Sequence, residues 1–365
     1  MEHEIIIDSN PFAEGGYGSV YLCEYKGAPM VAKEVKLVPS HSSGNASMFI
    51  DKPFEPLLMG CNIPFINTYK DVLFDHKTMN IIQNVGQSLR TYRKTTIPEY
   101  SDLVAWFKMM LIGLKHMHRY GIIHSDIKPD NMLLYHPNTI AVSDLGLATL
   151  EYGNYDRHTG TASYRPPEVW NHSTKTTKSD IWSLGLTLYY LIQGEELFSI
   201  KVQTDDKDTR NNEYKKLLTS WERQYAEGTP SSFKLNFRYP LTMTIYRMLN
   251  PNPALRPSCQ DILKNDIVTR VTIREPMLEE IHLEDIPDKH LSSIDRHLHR
   301  YVRWIYTLIS HKFQLLEEGV AFSIWFVNKI IKGHNAPIPQ SFDASSFNLY
   351  ERRLVSDRCY APKFK

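Results

Sequence analysis

The sequence predicts a mixed α+β protein in which a region of β-strands precedes a mainly helical region. Residues 5–37 contain short, apolar, strand-like runs on either side of a tight, glycine-rich turn. From Tyr100 onward the apolar residues recur at intervals of three and four, as in an amphipathic helix. A run of strands followed by a run of helices is typical of the α+β fold class.

The composition is that of a folded globular protein with enough chain for more than one domain. Of the 365 residues, 42% are hydrophobic and 12% are aromatic. With 42 basic against 41 acidic residues, the charge gives no reason to expect nucleic acid or a membrane as a partner. The N-terminus does not resemble a signal peptide, and the longest apolar run, residues 181–192, is too short to span a bilayer. The sequence therefore predicts an intracellular protein.

The spacing of cysteine and histidine does not indicate a disulfide or zinc framework. The 4 cysteines are far apart and form no C-x-x-C pair, which favours reduced thiols. The pair His116 and His118 could bind a metal ion, as could His297 and His299. A histidine on a helix surface or hydrogen-bonded in a core is the commoner explanation of such a pair.

The loop from His124 to Asn131 combines a carboxylate, a cation and an amide between two apolar segments. Asp126 could accept the proton of an attacking hydroxyl, and Lys128 could neutralise a moving phosphoryl group. The amide oxygen of Asn131 could hold a metal ion. These groups are the ones that phosphoryl transfer requires, although a stretch this short could also be an ordinary polar loop.

Two features upstream strengthen the phosphoryl-transfer interpretation. Residues 12–20 form a glycine-rich turn between strand-like runs, and glycine lets backbone N–H groups approach a phosphate closely. Lys33 follows on the next apolar run, residues 30–35. The simpler alternative is a β-hairpin followed by a solvated lysine on a strand.

Taken in order, these motifs resemble those of eukaryotic-type serine/threonine protein kinases. Residues 124–131, His-Ser-Asp-Ile-Lys-Pro-Asp-Asn, resemble the kinase catalytic loop, with Ser125 where most members carry Arg. Residues 13–20 resemble the glycine-rich loop, with Ala13 at its first glycine position. Asp144-Leu-Gly resembles the metal-binding Asp-Phe-Gly motif. The resemblance covers residues 5 to 268 and implies a two-lobed kinase fold.

The resemblance also implies ATP and Mg²⁺ as cofactors and protein Ser or Thr hydroxyls as acceptors. Asp126 would be the catalytic base, Lys128 would stabilise the transferred phosphoryl group, and Asn131 and Asp144 would bind Mg²⁺. The residues expected at the ATP site are Phe12, Ala13, Glu14, Gly15, Gly16, Tyr17, Gly18, Ser19, Val20, Lys33 and Glu55.

Glu55 is the expected acidic partner of Lys33, and Asp51 is the second choice. Pro53 and Pro56 flank Glu55, and proline inside a helix costs roughly 3 kcal/mol. The helix would therefore be short, kinked or begin at Glu55. The alternative is that Glu55 is a surface residue.

Five further residues are expected to have structural roles. His124 would brace the catalytic loop, and Asp180 would hydrogen-bond its backbone. Thr161, in a Gly-Thr-x-x-Tyr-x-x-Pro-Glu run, would contact the catalytic base and its lysine. Glu168, which ends that run, would pair with Arg256.

Ser125 leads to a hypothesis about regulation. An arginine at this position docks a phosphate on the activation segment, which a neutral serine cannot do. We therefore expect activity not to depend on phosphorylation of this segment, residues 146–168. Its candidate acceptors are Thr149, Tyr152, Tyr155 and Thr159.

The expected domain boundaries follow from the resemblance. Residues 1–268 would form the kinase domain, with an N-lobe at about 1–83 and a C-lobe at about 84–268. Backbone groups at 83–85 would meet the adenine, and Ile82 would guard the rear of the pocket.

Residues 269–365 would form a helical extension that the kinase resemblance does not cover. Its simplest interpretation is a set of helices packed on the kinase. Residues 295–332 also resemble the first two helices of a cyclin box, which implies a regulatory partner or an intramolecular contact there. The compact activation segment and the extension together resemble kinases of large DNA viruses.

The alternative from another functional class is a pseudokinase that acts as a scaffold. The presence of all four expected active-site residues argues against it, namely Lys33, Asp126, Asn131 and Asp144.

Overall fold

The computed structural model describes ten ranges of the chain, all within the first 273 residues. These ranges are 5–15, 18–36, 64–67, 69–74, 78–119, 122–136, 138–150, 160–172, 175–200 and 206–273.

An antiparallel sheet is formed by the first part of the described chain, and its strand order is β1-β3-β4-β6-β5, with β2 paired to β3. Along β3 the buried Cys23 and Tyr25 alternate with the exposed Leu22 and Glu24, as expected for a half-buried strand. Lys26 and Gly27, both with positive φ, form the tight turn between β3 and β4, a conformation that matches the twist of paired strands. The strands are β1 (Ile5–Ile7), β2 (Ala13–Gly15), β3 (Gly18–Tyr25), β4 (Ala28–Lys36), β5 (Tyr69–Phe74) and β6 (Thr78–Asn84).

Short strands then carry the chain into the helical region. A second sheet has the order β10-β9-β7, and β8 pairs with β11. These pairings bracket the loop from His124 to Asn131, because this loop lies between β8 and β9. The strands are β7 (Gln87–Ser88), β8 (Ile122–Ile123), β9 (Met132–Tyr135), β10 (Thr139–Val142) and β11 (Thr149–Leu150).

Helices make up most of the rest of the described chain. The helix expected from Tyr100 is α2, and the apolar residues of its predicted stripe are buried. The helices are α1 (Leu89–Thr95), α2 (Tyr100–Arg119), α3 (Pro167–His172), α4 (Thr177–Gln193), α5 (Lys207–Glu227), α6 (Pro240–Met248), α7 (Cys259–Leu263) and α8 (Asp266–Thr269). The predicted α+β fold, with an antiparallel sheet before a helical part, is confirmed.

Helix α4 is the centre of the helical part. Thr176 begins it with a capping box, and Gly194, with a φ of 81°, ends it in the left-handed conformation. Nearly all of its side chains are buried, and Trp182 stacks on Phe198 at 5.9 Å between ring centroids. The apolar run 181–192 is therefore part of a protein core. Among the described residues, none of the helices combines the length and apolar character needed to cross a membrane.

A buried ion pair fixes the start of α3 to the segment before α7. Arg256 donates from Nη1 and Nη2 to the two carboxylate oxygens of Glu168, at 2.7 and 2.8 Å. Ser179 adds a hydrogen bond to Glu168 at 3.0 Å, and the guanidinium lies over the ring of Trp182. Because the arginine is 1% exposed, loss of either partner would leave the other charge buried.

We expect Arg256→Ala to lower the free energy of unfolding by about 3–5 kcal/mol, the usual effect of breaking a buried pair. Chemical denaturation at neutral pH measures this change. Arg270→Ala is the control, since the pair of Arg270 with Asp266 is 4.0 Å apart and exposed on both sides, and such pairs contribute about 0–1 kcal/mol. Equal effects of the two substitutions would contradict the structural role of Arg256.

Candidate active site

Lys33 and Asp144 meet although they are far apart in the sequence. Lys33 lies on β4 opposite Val20 of β3, and its Nζ is 2.7 Å from Oδ1 of Asp144. Burial raises the pKa of Asp144, but the charge and hydrogen bond of Lys33 outweigh this effect, so the pKa is lowered from its usual value. Asp144 is therefore an anion next to a buried ammonium group.

The backbone of Asp144 turns sharply at this point. Its φ of 64° is in the left-handed region, which aspartate tolerates better than most residues. A short 3-10 helix, Leu145–Leu147, follows, and Gly146 N–H donates to Oδ1 of Asp144 at 3.4 Å. Leu145 is 2% exposed, so its side chain anchors the turn in the core.

The carboxylate of Asp126 is held by three side chains. Thr161 donates its backbone N–H and its hydroxyl to Oδ1, at 2.9 and 2.8 Å. Lys128 Nζ is 2.7 Å from Oδ2, and Asn131 Nδ2 is 3.1 Å from the same oxygen. Lys128 also donates to the hydroxyl of Thr161 at 2.8 Å. A cation and a carboxylate are thus fixed in one orientation, the arrangement in which a hydroxyl can be deprotonated beside a transferred anion.

Asn131 connects this carboxylate to the region of Asp144. Its Nδ2 donates to the backbone oxygen of Asp126 at 2.8 Å, which turns the amide oxygen away from Asp126. The backbone carbonyl oxygen of Asn131 accepts a hydrogen bond of 2.8 Å from the backbone N–H of Ser143, the residue before Asp144. An amide oxygen and a carboxylate on two adjoining segments are donors that fit Mg²⁺.

Asp180 on α4 holds the backbone of the loop at His124 and Ser125. One carboxylate oxygen of Asp180 accepts the N–H of His124 at 2.8 Å, and the other accepts the N–H of Ser125 at 3.0 Å. The ring of His124 contacts the carbonyl oxygen of Ser143 at 2.9 Å. Ser125 has a positive φ of 69°, so these hydrogen bonds hold a backbone turn that is rare for serine.

Gly160 packs against the same turn. It has a φ of 84°, and a Cβ at this position would lie 2.6 Å from the carbonyl oxygen of Ser125. A glycine is thus required for the activation segment to pass so close to the catalytic loop.

His118 completes the brace. Its Nε2 is 2.8 Å from Oδ2 of Asp180, and its Nδ1 is 3.5 Å from the sulfur of Cys259. Burial lowers the pKa of His118, but the interactions with Cys259 and Asp180 outweigh it and raise the pKa to about 10. The sequence flagged this histidine only through its spacing to His116, and its role here is that of a hydrogen-bonded core residue.

A buried polar network at the end of β6 has no counterpart in the sequence-based predictions. Asn67 donates to the side chains of Gln83 at 2.7 Å and Ser143 at 3.2 Å, and it accepts from Tyr135 at 2.8 Å. Burial raises the pKa of the Tyr135 phenol, so its hydroxyl remains a donor. The network links the end of β6 to the residue before Asp144. Isolated polar residues in apolar segments are its only sequence signal.

The glycine-rich turn is described in part. Phe12 is 68% exposed, and its N–H donates to the carbonyl of Val20 at 2.7 Å. In the hairpin, Ala13 pairs with Val20, Glu14 with Ser19 and Gly15 with Gly18. Several predicted residues lie outside the described ranges, namely Gly16, Tyr17, Asp51, Glu55, Tyr152, Tyr155 and Thr159.

Comparison with known proteins identifies the family. The model of the protein kinase domain matches residues 9–268, which is more than half of the chain. The chain therefore belongs to the protein kinase family, as its motifs predicted.

Individual relatives agree with this assignment. The chain is 30% identical over 272 residues to serine/threonine-protein kinase Nek11 of Homo sapiens, covering 68% of this chain and 38% of that protein. It is 25% identical over 261 residues to Nek3 of Mus musculus, covering 68% of this chain and 47% of that protein. The chain thus spans less than half the length of these relatives. A solved kinase domain superposes with a TM-score of 0.56 at 19% identity, covering 71% of this chain and 93% of that one, and this likeness supports the fold.

The raised pKa of His118 predicts how stability changes with pH. The folded value of about 10 lies above the ordinary 6.5, so the contribution of His118 is complete below about pH 6.5. It is lost as the pH rises through about 10. We expect the difference in unfolding free energy between the wild type and His118→Leu to shrink over this range.

Chemical denaturation at intervals from pH 6 to pH 10 measures the difference. In Cys259→Ala the loss should begin at a lower pH, because one of the interactions that raise the pKa of His118 is removed. A difference that is constant or grows with pH would contradict this assignment.

Proposed function

We propose that this chain contains a serine/threonine protein kinase domain that transfers the γ-phosphoryl group of ATP to protein Ser or Thr hydroxyls. The observation that carries the proposal is the arrangement around Asp126. Its carboxylate is held by Lys128 and Thr161, and Asn131 links it to the segment that presents Asp144 to Lys33. The serine/threonine kinases among the curated relatives support the choice of acceptor.

In the proposed reaction, Asp126 accepts the proton of the substrate hydroxyl. The substrate oxygen forms a bond to the γ-phosphorus while the bond from that phosphorus to the β–γ bridging oxygen breaks, and ADP leaves. Lys128 stabilises the negative charge of the group in transfer, and Thr161 keeps Lys128 and Asp126 in register. Lys33 binds the ATP phosphates, because its buried ammonium lies at the end of the glycine-rich hairpin.

The residues present fit a magnesium ion. Asn131 and Asp144 would hold it through an amide oxygen and a carboxylate oxygen. When bound, Mg²⁺ would neutralise charge on the ATP phosphates. Backbone N–H groups of residues 12–20 would bind the phosphates as well, and Glu55 stays the predicted partner of Lys33.

The domain boundaries also stay a proposal. Residues 1–268 would be the kinase domain and 269–365 the extension, of which only the first few residues are described. The cyclin-box resemblance of 295–332 lies outside the described residues. The regulatory contact that it implies remains a prediction. An intracellular location and a likeness to kinases of large DNA viruses also remain predictions.

Single-turnover phosphorylation of a generic basic protein with Mg²⁺-ATP tests the proposed reaction. We expect wild type to phosphorylate Ser and Thr and Asp126→Asn to be slower by about 10²–10⁴-fold, as when a general base is lost. Both proteins should still bind Mg²⁺-ATP in a thermal-shift assay. Glu195→Gln is the matched control, since Glu195 is an exposed carboxylate paired with Lys234, and it should keep wild-type activity. Nucleotide binding without phosphorylation by the wild type would favour the pseudokinase scaffold instead.

Independence from activation-segment phosphorylation is tested separately. The N–H of Ser125 is held by Asp180, which supports a loop ordered by a buried carboxylate rather than by an added phosphate. We expect Ala variants of Thr149, Tyr152, Tyr155 and Thr159 to keep turnover within about threefold, an energy change under about 0.7 kcal/mol. Steady-state kinetics with phosphatase-treated enzyme measures turnover. A large loss in Thr159→Ala would overturn the hypothesis.

A further inference from the structure

Arg90, at the start of α1, holds two carboxylates and a phenol beside the catalytic loop. Its Nε donates to Oδ2 of Asp130 at 2.7 Å, and its Nη2 donates to Oε1 of Glu196 at 2.9 Å. The same Nη2 donates to the hydroxyl of Tyr164 at 2.9 Å. The guanidinium also lies 4.6 Å from the ring centroid of Tyr190. A guanidinium held by two carboxylates and an aromatic face is the geometry by which proteins recognise arginine.

This cluster lies next to the residues that would receive the substrate. Asp130 immediately precedes Asn131, whose amide contacts Asp126. Tyr164 ends the 3-10 helix that begins just after Thr161, and Thr161 contacts Asp126 from the other side. The cluster is thus joined by short stretches of backbone to two residues that contact Asp126.

The two carboxylates are partly exposed to solvent. The side chains of Asp130 and Glu196 are 43% and 27% exposed, and that of Arg90 is 23% exposed. Without Arg90, two neighbouring carboxylates and an aromatic ring would form a subsite for a basic side chain. With Arg90 in place, the chain itself supplies the cation.

We propose that Arg90 is a specificity-determining residue that occupies, from within the chain, an acidic subsite for a basic residue of the substrate. The inference rests on the proposed function. It implies that the wild-type kinase accepts peptides with no Arg or Lys near the acceptor, and that removal of Arg90 creates a preference for basic peptides.

Peptides with one Ser acceptor and a single Arg or Ala at each of the four positions on either side test the proposal. For wild type, we expect kcat/KM for Arg and Ala peptides to agree within about threefold at every position, a difference under about 0.7 kcal/mol. For Arg90→Leu, we expect at least about a tenfold preference for Arg at one or two adjacent positions, as a charge-assisted hydrogen bond provides. Adding Asp130→Asn should remove that preference.

Arg93→Leu is the matched control, since Arg93 lies on the same helix and donates to the carbonyl oxygens of Leu191 and Ile192 rather than to carboxylates. It should gain no preference. If Arg90→Leu fails to fold, Arg90→Gln takes its place, and the same preference for Arg peptides is expected.

Three results would overturn the proposal. The first is a folded Arg90→Leu protein that loses activity on all peptides in the same proportion. The second is a wild-type preference for Arg peptides that Asp130→Asn reduces. The third is a preference for Arg peptides in Arg93→Leu as large as that in Arg90→Leu. Activity of wild type on the Ala peptides separates this inference from the proposed function. If wild type phosphorylates none of them, fluorescence anisotropy measures peptide binding instead. The ratio of affinities for Arg and Ala peptides should then be within about threefold for wild type and at least about tenfold for Arg90→Leu.

Discussion

The position of the Asp126 carboxylate depends on the two hydrogen bonds that Asp180 accepts from the backbone of His124 and Ser125. Asp180 is 1% exposed and lies on α4, which is packed on nearly all sides. A carboxylate in such a place must be compensated, and His118 supplies a cation. The backbone turn at Ser125 is therefore set by a helix whose side chains are mostly buried, and Asp126 follows directly after that turn.

The sequence predicted the fold class and the residues that converge around Asp126, because kinase motifs are local. Asp126, Lys128 and Asn131 lie within one loop, so their spacing alone places them together. The pair of Lys33 and Asp144 is separated by 111 residues, and only the order of the motifs connected them. The pairing of Lys33 with Glu55 or Asp51 stays a prediction, since both acidic residues lie outside the described ranges.

The contacts that the sequence did not reveal are formed by residues with no motif of their own. Arg90 meets Asp130 across 40 residues and Glu196 across 106. Asn67 meets Gln83 and Ser143 where the bridge between Ile66 and Val142 brings residues 64–67 beside β10. Periodicity indicates which face of an element is buried, but it does not indicate which polar atoms meet across the core. Such partners are decided by tertiary packing, which is why only the structure identifies them.

The side chain of Asn67 gives the interior beside Gln83 a polar character. Gln83 pairs with Val31 on the face of the first sheet that carries Lys33, and its amide meets Asn67. Ile82 instead pairs with Ala32 and packs with Cys23 and Tyr25 on the opposite face, so the expectation that Ile82 guards the rear of the pocket is wrong. A small molecule extended past Gln83 would have to satisfy amide and hydroxyl groups or leave them desolvated. Compounds with a hydrogen-bonding substituent at that depth should thus bind more tightly than those with a purely apolar one.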